Sequence, residues 1–162
     1  MEEAASEGVA AQREQLAAEL RGYGAGFTEL GRRFAARLGV HSTDAFALLE
    51  ITSAESNEVP LSPAVLSRRI QLSSGAMAAL LNRLEEAGYV TRIRGHSDRR
   101  TVTLHSSPHV RELAEEFFRP ANARQDAVLS RYSPELLSRF KTLIAELSAA
   151  LDEHPPPPDG EG

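Results

Sequence analysis

The chain has 162 residues, 41% of them hydrophobic, with no cysteine and no tryptophan; that length suits one domain with a real core. The missing cysteines exclude disulfides, thiolate metal sites and thiol redox chemistry. The net charge of −5 hides an asymmetry: eight arginines between Ser62 and Arg111 face only Glu85, Glu86 and Asp98, so this segment carries +5 and the remainder −10, which points to a polyanionic partner.

The acidic opening "MEEAASEGVAAQREQ" has no apolar segment of the kind a secretory signal needs, and residues 1–11 are read as a disordered N-terminus. From Leu16 the apolar residues fall at 16, 20, 23, 27, 30 and 34, alternating gaps of four and three. This predicts a long helix with a narrow seam over residues 12–40. "GYGAG" (22–26) marks a candidate break, because each Gly costs about 1 kcal/mol relative to Ala. Gly39 ends the segment as a C-cap.

"HSTDAFALLEITSA" (41–54) reads as a buried second helix capped near Ser42 or Thr43, and "NEVPL" (57–61) as a short extended connection. Ser62 followed by Pro63 is an N-cap with proline in the first turn. Ser73 is a second N-cap shortly after. Met77, Leu80, Leu81 and Leu84 then mark one apolar face, and Gly88 terminates the helix. Two short helices so closely joined have helix-turn-helix spacing. "YVTRIRGHSDRRTVTLH" (89–105) follows as a β-hairpin, completing a winged lobe over 41–106. Ser107-Pro108 and Ser133-Pro134 start two further helices across 107–152, with Pro120 expected to kink the first. The tail 153–162, "EHPPPPDGEG", is read as disordered. The fold class is mainly α with a small β-hairpin wing: a winged helix-turn-helix flanked by further helices on either side.

This organisation suits double-stranded DNA. With Met77, Leu80, Leu81 and Leu84 turned inward, Ser74, Gly75, Ala78, Ala79, Asn82 and Arg83 face outward. The N–H groups after Ser73 suit a phosphate, Gly and Ala allow close approach, and Arg83 reaches a phosphate. Few side chains here can read bases, so specificity is modest or comes from thymine methyls and groove shape. Periodicity alone would also fit an ordinary core helix over 73–87. In the wing, Arg92, Arg94 and Arg99 supply charge. Asp98 and Arg100 are two apart and share a face of a regular strand; Asp98 would hold Arg100 extended for the minor groove. The plainer alternative is an exposed salt bridge worth under about 1 kcal/mol.

The stretch "LSSGAMAALLNRLEEAGYVTRIRGHSDRRTVTLHSS", with its Asp-x-Arg wing (Asp98-Arg99-Arg100), resembles the MarR family of bacterial winged-helix regulators. The resemblance extends over roughly residues 12–152. It implies a homodimer built from the first helix and the last two, here Leu16, Leu20, Phe117, Phe118, Leu136, Phe140, Leu143 and Leu147. It also implies two recognition helices on a pseudo-palindrome, Arg100 in the minor groove oriented by Asp98, and a bacterial cytoplasmic protein at the nucleoid when DNA-bound. Family members often respond to small aromatic or phenolic ligands held between dimerisation helices and DNA-binding lobe; that region here involves Tyr23, Phe27 and His41. Gln71 departs from the family where glycine is common in the turn, and the family's cysteine peroxide switch is excluded.

No Gly-rich phosphate loop, nucleophile elbow or acid/base constellation appears, so no catalytic residue is assigned and an enzyme is not expected. His105 and His109 are four apart across a strand-to-helix boundary, which is not helical metal spacing; no metal or other cofactor is expected. The reading is a DNA-binding regulator, a repressor released by a ligand. The competing class is a winged-helix protein-interaction module with weak or no DNA readout.

Overall fold

The computed structural model describes residues 2–95 and 101–152, with the side chains of 2–7 and 152 left aside. In chain order it has α1 (Glu2–Leu38), α2 (Ser42–Ser56), α3 (Pro63–Arg69), α4 (Ser74–Glu86), β1 (Val90–Arg94), β2 (Val102–Ser106), α5 (Pro108–Leu129) and α6 (Pro134–Asp152). The strands form one antiparallel pair, with Val90 opposite Ser106 and Arg94 opposite Val102. Two compact units divide the chain, Met1–Phe117 and Phe118–Gly162.

The first unit holds a closed core. Leu48 and Ile51 of α2, Leu66 of α3, Leu80, Leu81 and Leu84 of α4, Leu104 of β2 and Val110 of α5 are all buried. Each fully buried aliphatic side chain contributes about 1.5–3 kcal/mol relative to exposure, and these come from five elements, so the core joins both halves of the helix-turn-helix to the wing. α1 joins α2 by close approach at Gly31, where an added Cβ would collide with the Phe46 ring. Phe34 of α1 is buried and its ring centroid lies 5.3 Å from that of Phe117.

α1 departs from expectation twice. It begins at Glu2, inside the stretch 1–11 read as disordered, because Ala and Glu dominate that stretch and extending an existing helix is easier than nucleating one. It also runs unbroken through Gly22, Gly24 and Gly26, ending where Gly39 takes φ +70°. α2 is preceded by His41 as N-cap without a side-chain cap bond, so neither Ser42 nor Thr43 caps it. The serine caps of α3 to α6 form as read: Ser62, Ser73, Ser107 and Ser133 each accept from the backbone N–H three residues on.

In the second unit, α5 continues through Pro120 to Leu129 as one helix. α6 presents Leu136, Phe140, Leu143, Leu147 and Leu151 to solvent at helical spacing. No helix among the described residues is long and apolar enough to cross a membrane.

Candidate nucleic-acid interface

The turn between α3 and α4 is built by local polar groups. Ser67 Oγ donates to the Leu72 carbonyl at 2.6 Å, and the Leu72 N–H returns to the Ser67 carbonyl at 3.0 Å. Gln71 takes φ +53°, a left-handed conformation that costs an L residue about 1–2 kcal/mol. The turn therefore forms without the glycine, at some strain.

α4 opens at Ser73, whose Oγ accepts from the Ala76 N–H at 3.3 Å. Met77, Leu80, Leu81 and Leu84 are buried, as their spacing predicts. Ser74, Gly75, Ala78, Ala79, Asn82 and Arg83 are exposed. A Cβ at Gly75 would meet nothing within 4 Å. Internal packing therefore does not require glycine there, and the absent side chain lowers the outer surface of the helix's first turn.

Two cations expected to be free are engaged. Arg83 grips buried Asp44 of α2 with both arms of its fork, Nη2 to Oδ1 at 2.7 Å and Nε to Oδ2 at 3.0 Å. The hydrogen bond to Asp44 raises the Arg83 pKa further, so it stays charged. Asp44 lies in the first turn of α2, where the helix dipole favours an anion. Arg92 of β1 donates to Asn82 Oδ1 at 2.9 Å and lies 3.2 Å from Glu85 Oε2. Reading Arg83 as a phosphate contact and Arg92 as wing charge left out the acidic partners brought close by the fold; both arginines tie elements together.

Arg94 is exposed at the outer end of β1, and the Gly95 N–H donates to the Thr101 carbonyl at 2.9 Å, closing the ladder on either side of the tip. Asp98, Arg99 and Arg100 lie outside the described residues. The stem of the wing is held by groups that sequence reading missed. Leu104 N–H donates to the Leu61 carbonyl at 2.8 Å. Glu55 at the end of α2 receives the Ser106 N–H at 3.0 Å, the Ser106 hydroxyl, and His105 Nδ1 at 3.1 Å. Glu55 and Ser106 are 51 positions apart, so no local pattern could have paired them.

A concavity of about 380 Å³ lies at the end of α1, lined by Gly39, Val40, His41, Asp44, Arg83, Leu84 and Ala87. His41 is at its wall, whereas Tyr23 and Phe27, grouped with it in the sequence reading, are not. They are exposed on α1, about 24 and 18 Å along the helix from Gly39 at 1.5 Å per residue. Among the described residues no group of three or more His, Asp or Glu is arranged to hold a metal.

These elements define a winged helix-turn-helix. A family model described as MarR family matches residues 38–101. Among curated relatives, the uncharacterized HTH-type transcriptional regulator YcgE of Bacillus subtilis is 30% identical over 98 residues, covering 58% of this chain and 61% of YcgE. The curated relatives are matched over 53–61% of their own lengths. Of the solved structures, S. aureus MepR in its DNA-binding conformation superposes with TM-score 0.63 at 14% identity, covering 82% of this chain and 95% of MepR. NadR in complex with 4-hydroxyphenylacetate superposes with TM-score 0.59 at 24% identity, covering 79% and 87%. Both are likenesses of fold. Through residues 38–101 the chain is similar to the MarR family.

Proposed function

We propose that this protein is a homodimeric, DNA-binding transcriptional regulator, a repressor of pseudo-palindromic operators released by a small molecule. The observation that carries the reading is the outer face of α4: small, exposed Ser74, Gly75, Ala78 and Ala79 over a closed core. Gly75 has no internal reason to lack a side chain, and a duplex backbone approaching the first turn of α4 supplies an external one. The wing arginines Arg94, Arg99 and Arg100 flank that face in sequence, with Asp98 orienting Arg100 for the minor groove. The exposed apolar stripe of α6 supports self-association, and Leu16 and Leu20 of α1 and Phe117 and Phe118 of α5 are assigned the same role. The domain roles follow: 12–40 and 107–152 dimerise, and 41–106 binds DNA.

The concavity beside His41 supports a site for the effector, whose carboxylate or phenolate would face Arg83. NadR was crystallised with a phenolic acid of this kind. Thermal-shift measurements across phenolic acids test this part; no stabilised Tm in the series rejects it.

The DNA-binding reading is tested by titrating duplex DNA at several salt concentrations. Binding should weaken steeply, with a log–log slope near −0.9 per phosphate neutralised. Absent or salt-insensitive binding would favour a protein-interaction module. The commitment of Arg83 to Asp44 and of Arg92 to Asn82 and Glu85 favours that second reading, because it leaves α4 few long donors for base edges. Selection from a random duplex pool decides between them and reports half-site spacing.

A further inference from the structure

We propose that Glu55 is a positioning residue for the wing: its carboxylate takes the place of a neighbouring strand at the end of β2 and sets how the hairpin is presented to DNA. This rests on the DNA-binding reading above.

The N–H groups of Leu104 and Ser106 share the edge of β2 that faces away from β1. An edge of this kind presents unpaired donors that must find acceptors when covered. Leu104 uses the Leu61 carbonyl at 2.8 Å. Ser106 is buried, and its acceptor is not a backbone group but Glu55 Oε2 at 3.0 Å. The same oxygen accepts the Ser106 hydroxyl. Arg111 of α5 completes the residue by donating from Nη1 to the Ser106 carbonyl at 2.7 Å. Every polar group of Ser106 is thus satisfied by the pair Glu55 and Arg111.

The arrangement is electrostatically costly unless compensated. Glu55 is the penultimate residue of α2, where the helix dipole disfavours a negative charge, and its side chain is only 15% exposed. His105 Nδ1 donates to Oε1 at 3.1 Å, and Arg111 Nη1 lies 3.6 Å from the same oxygen. His105 Nε2 in turn lies 2.9 Å from Thr103 Oγ1, which donates to the Ile93 carbonyl of β1 at 3.4 Å. The carboxylate therefore gathers α2, both strands of the hairpin and the start of α5 at one point. The wing's own apolar contribution to the core is small: Val90 and Leu104 are buried while Ile93 is 51% exposed. A two-stranded ribbon is marginal alone, so its orientation depends on such ties.

The test uses the full-length protein and generic duplex DNA, comparing wild type with Glu55→Ala and Glu55→Gln. Glu55→Ala should bind at least tenfold more weakly per folded molecule, with a salt slope smaller by about one to two phosphates as wing contacts are lost. Amide exchange should accelerate at Leu104 and Ser106 while that of Leu80 and Leu81 is unchanged. Glu55→Gln retains one acceptor and should fall between; it also carries the test if the alanine variant fails to fold. A lowered Tm with unchanged affinity and slope would reduce Glu55 to a stabilising contact and overturn the proposal. Should wild type show no salt-dependent binding, the functional reading fails separately, and the exchange data decide Glu55 alone: unchanged exchange at Leu104 and Ser106 overturns its role.

Discussion

The winged lobe and α6 treat apolar surface in opposite ways. In the lobe, Leu66, Leu80, Leu81, Leu84 and Leu104 are buried within one chain. On α6, five large apolar residues at equally regular spacing are exposed, Leu136 at 50% and Leu151 at 78%. Both stretches have the periodicity of a packed helix, so periodicity says that a face is to be covered, not by what. The lobe is covered by its own neighbours in sequence. On the proposed reading the α6 stripe is covered by a second chain, and the cost of leaving it open, roughly 25 cal/mol per Å² of apolar area, is the force available for assembly.

The sharpest way to break this contrast is a charge on the open face. Phe140→Asp should abolish self-association, giving a solution mass near the 17.6 kDa of one chain with the winged lobe still folded by circular dichroism. An unchanged oligomeric mass would show that α6 is not the interface. Next in size, Leu81→Ala in the lobe should cost about 3 kcal/mol, independent of protein concentration. The matching change Leu143→Ala should instead produce a loss that grows on dilution, because what it weakens is association. Equal behaviour of the two variants in denaturant titrations would erase the distinction.

Arg100→Ala should weaken duplex binding at least tenfold and reduce the salt slope by about one, while the solution mass stays that of wild type. Asp98→Ala should weaken binding several-fold although it removes a negative charge; tighter binding would mean that charge alone governs the tip. The smallest effect concerns Glu135 in the first turn of α6. Its own backbone N–H and the Ser133 hydroxyl hold its carboxyl below the ordinary carboxylate range. A lowered folded pKa gives stability present above the unfolded pKa and lost as pH falls through the folded one. Glu135→Gln should therefore flatten the acid limb of an α6-sensitive melting profile slightly, and an unaltered limb would remove Glu135 from the account.

What could be read in the sequence was local. Serine caps act over three residues and the α4 stripe over seven, so Ser62, Ser73, Ser107, Ser133 and the buried quartet Met77, Leu80, Leu81 and Leu84 are legible without coordinates. The polar pairings were not. Arg83 looks like a phosphate contact until Asp44, 39 positions earlier, is brought against it. His105 Nδ1 finds its partner in Glu55, 50 positions earlier. Tyr23 and Phe27 suggest a pocket wall, yet they share a helix with His41's neighbours only at a distance. The central glycines mislead in the other direction: intrinsic propensity argues for a break, and the residues on either side carry the helix across it.

Those glycines have a mechanical consequence. Gly22, Gly24 and Gly26 have open space where a Cβ would stand, and Thr28 Oγ1 donates to the Gly24 carbonyl at 3.0 Å, a back-bond that favours bending. At this point α1 has backbone bonds but few side chains to stiffen it. A rod of 37 residues, about 55 Å long, thus has its least braced stretch near its middle.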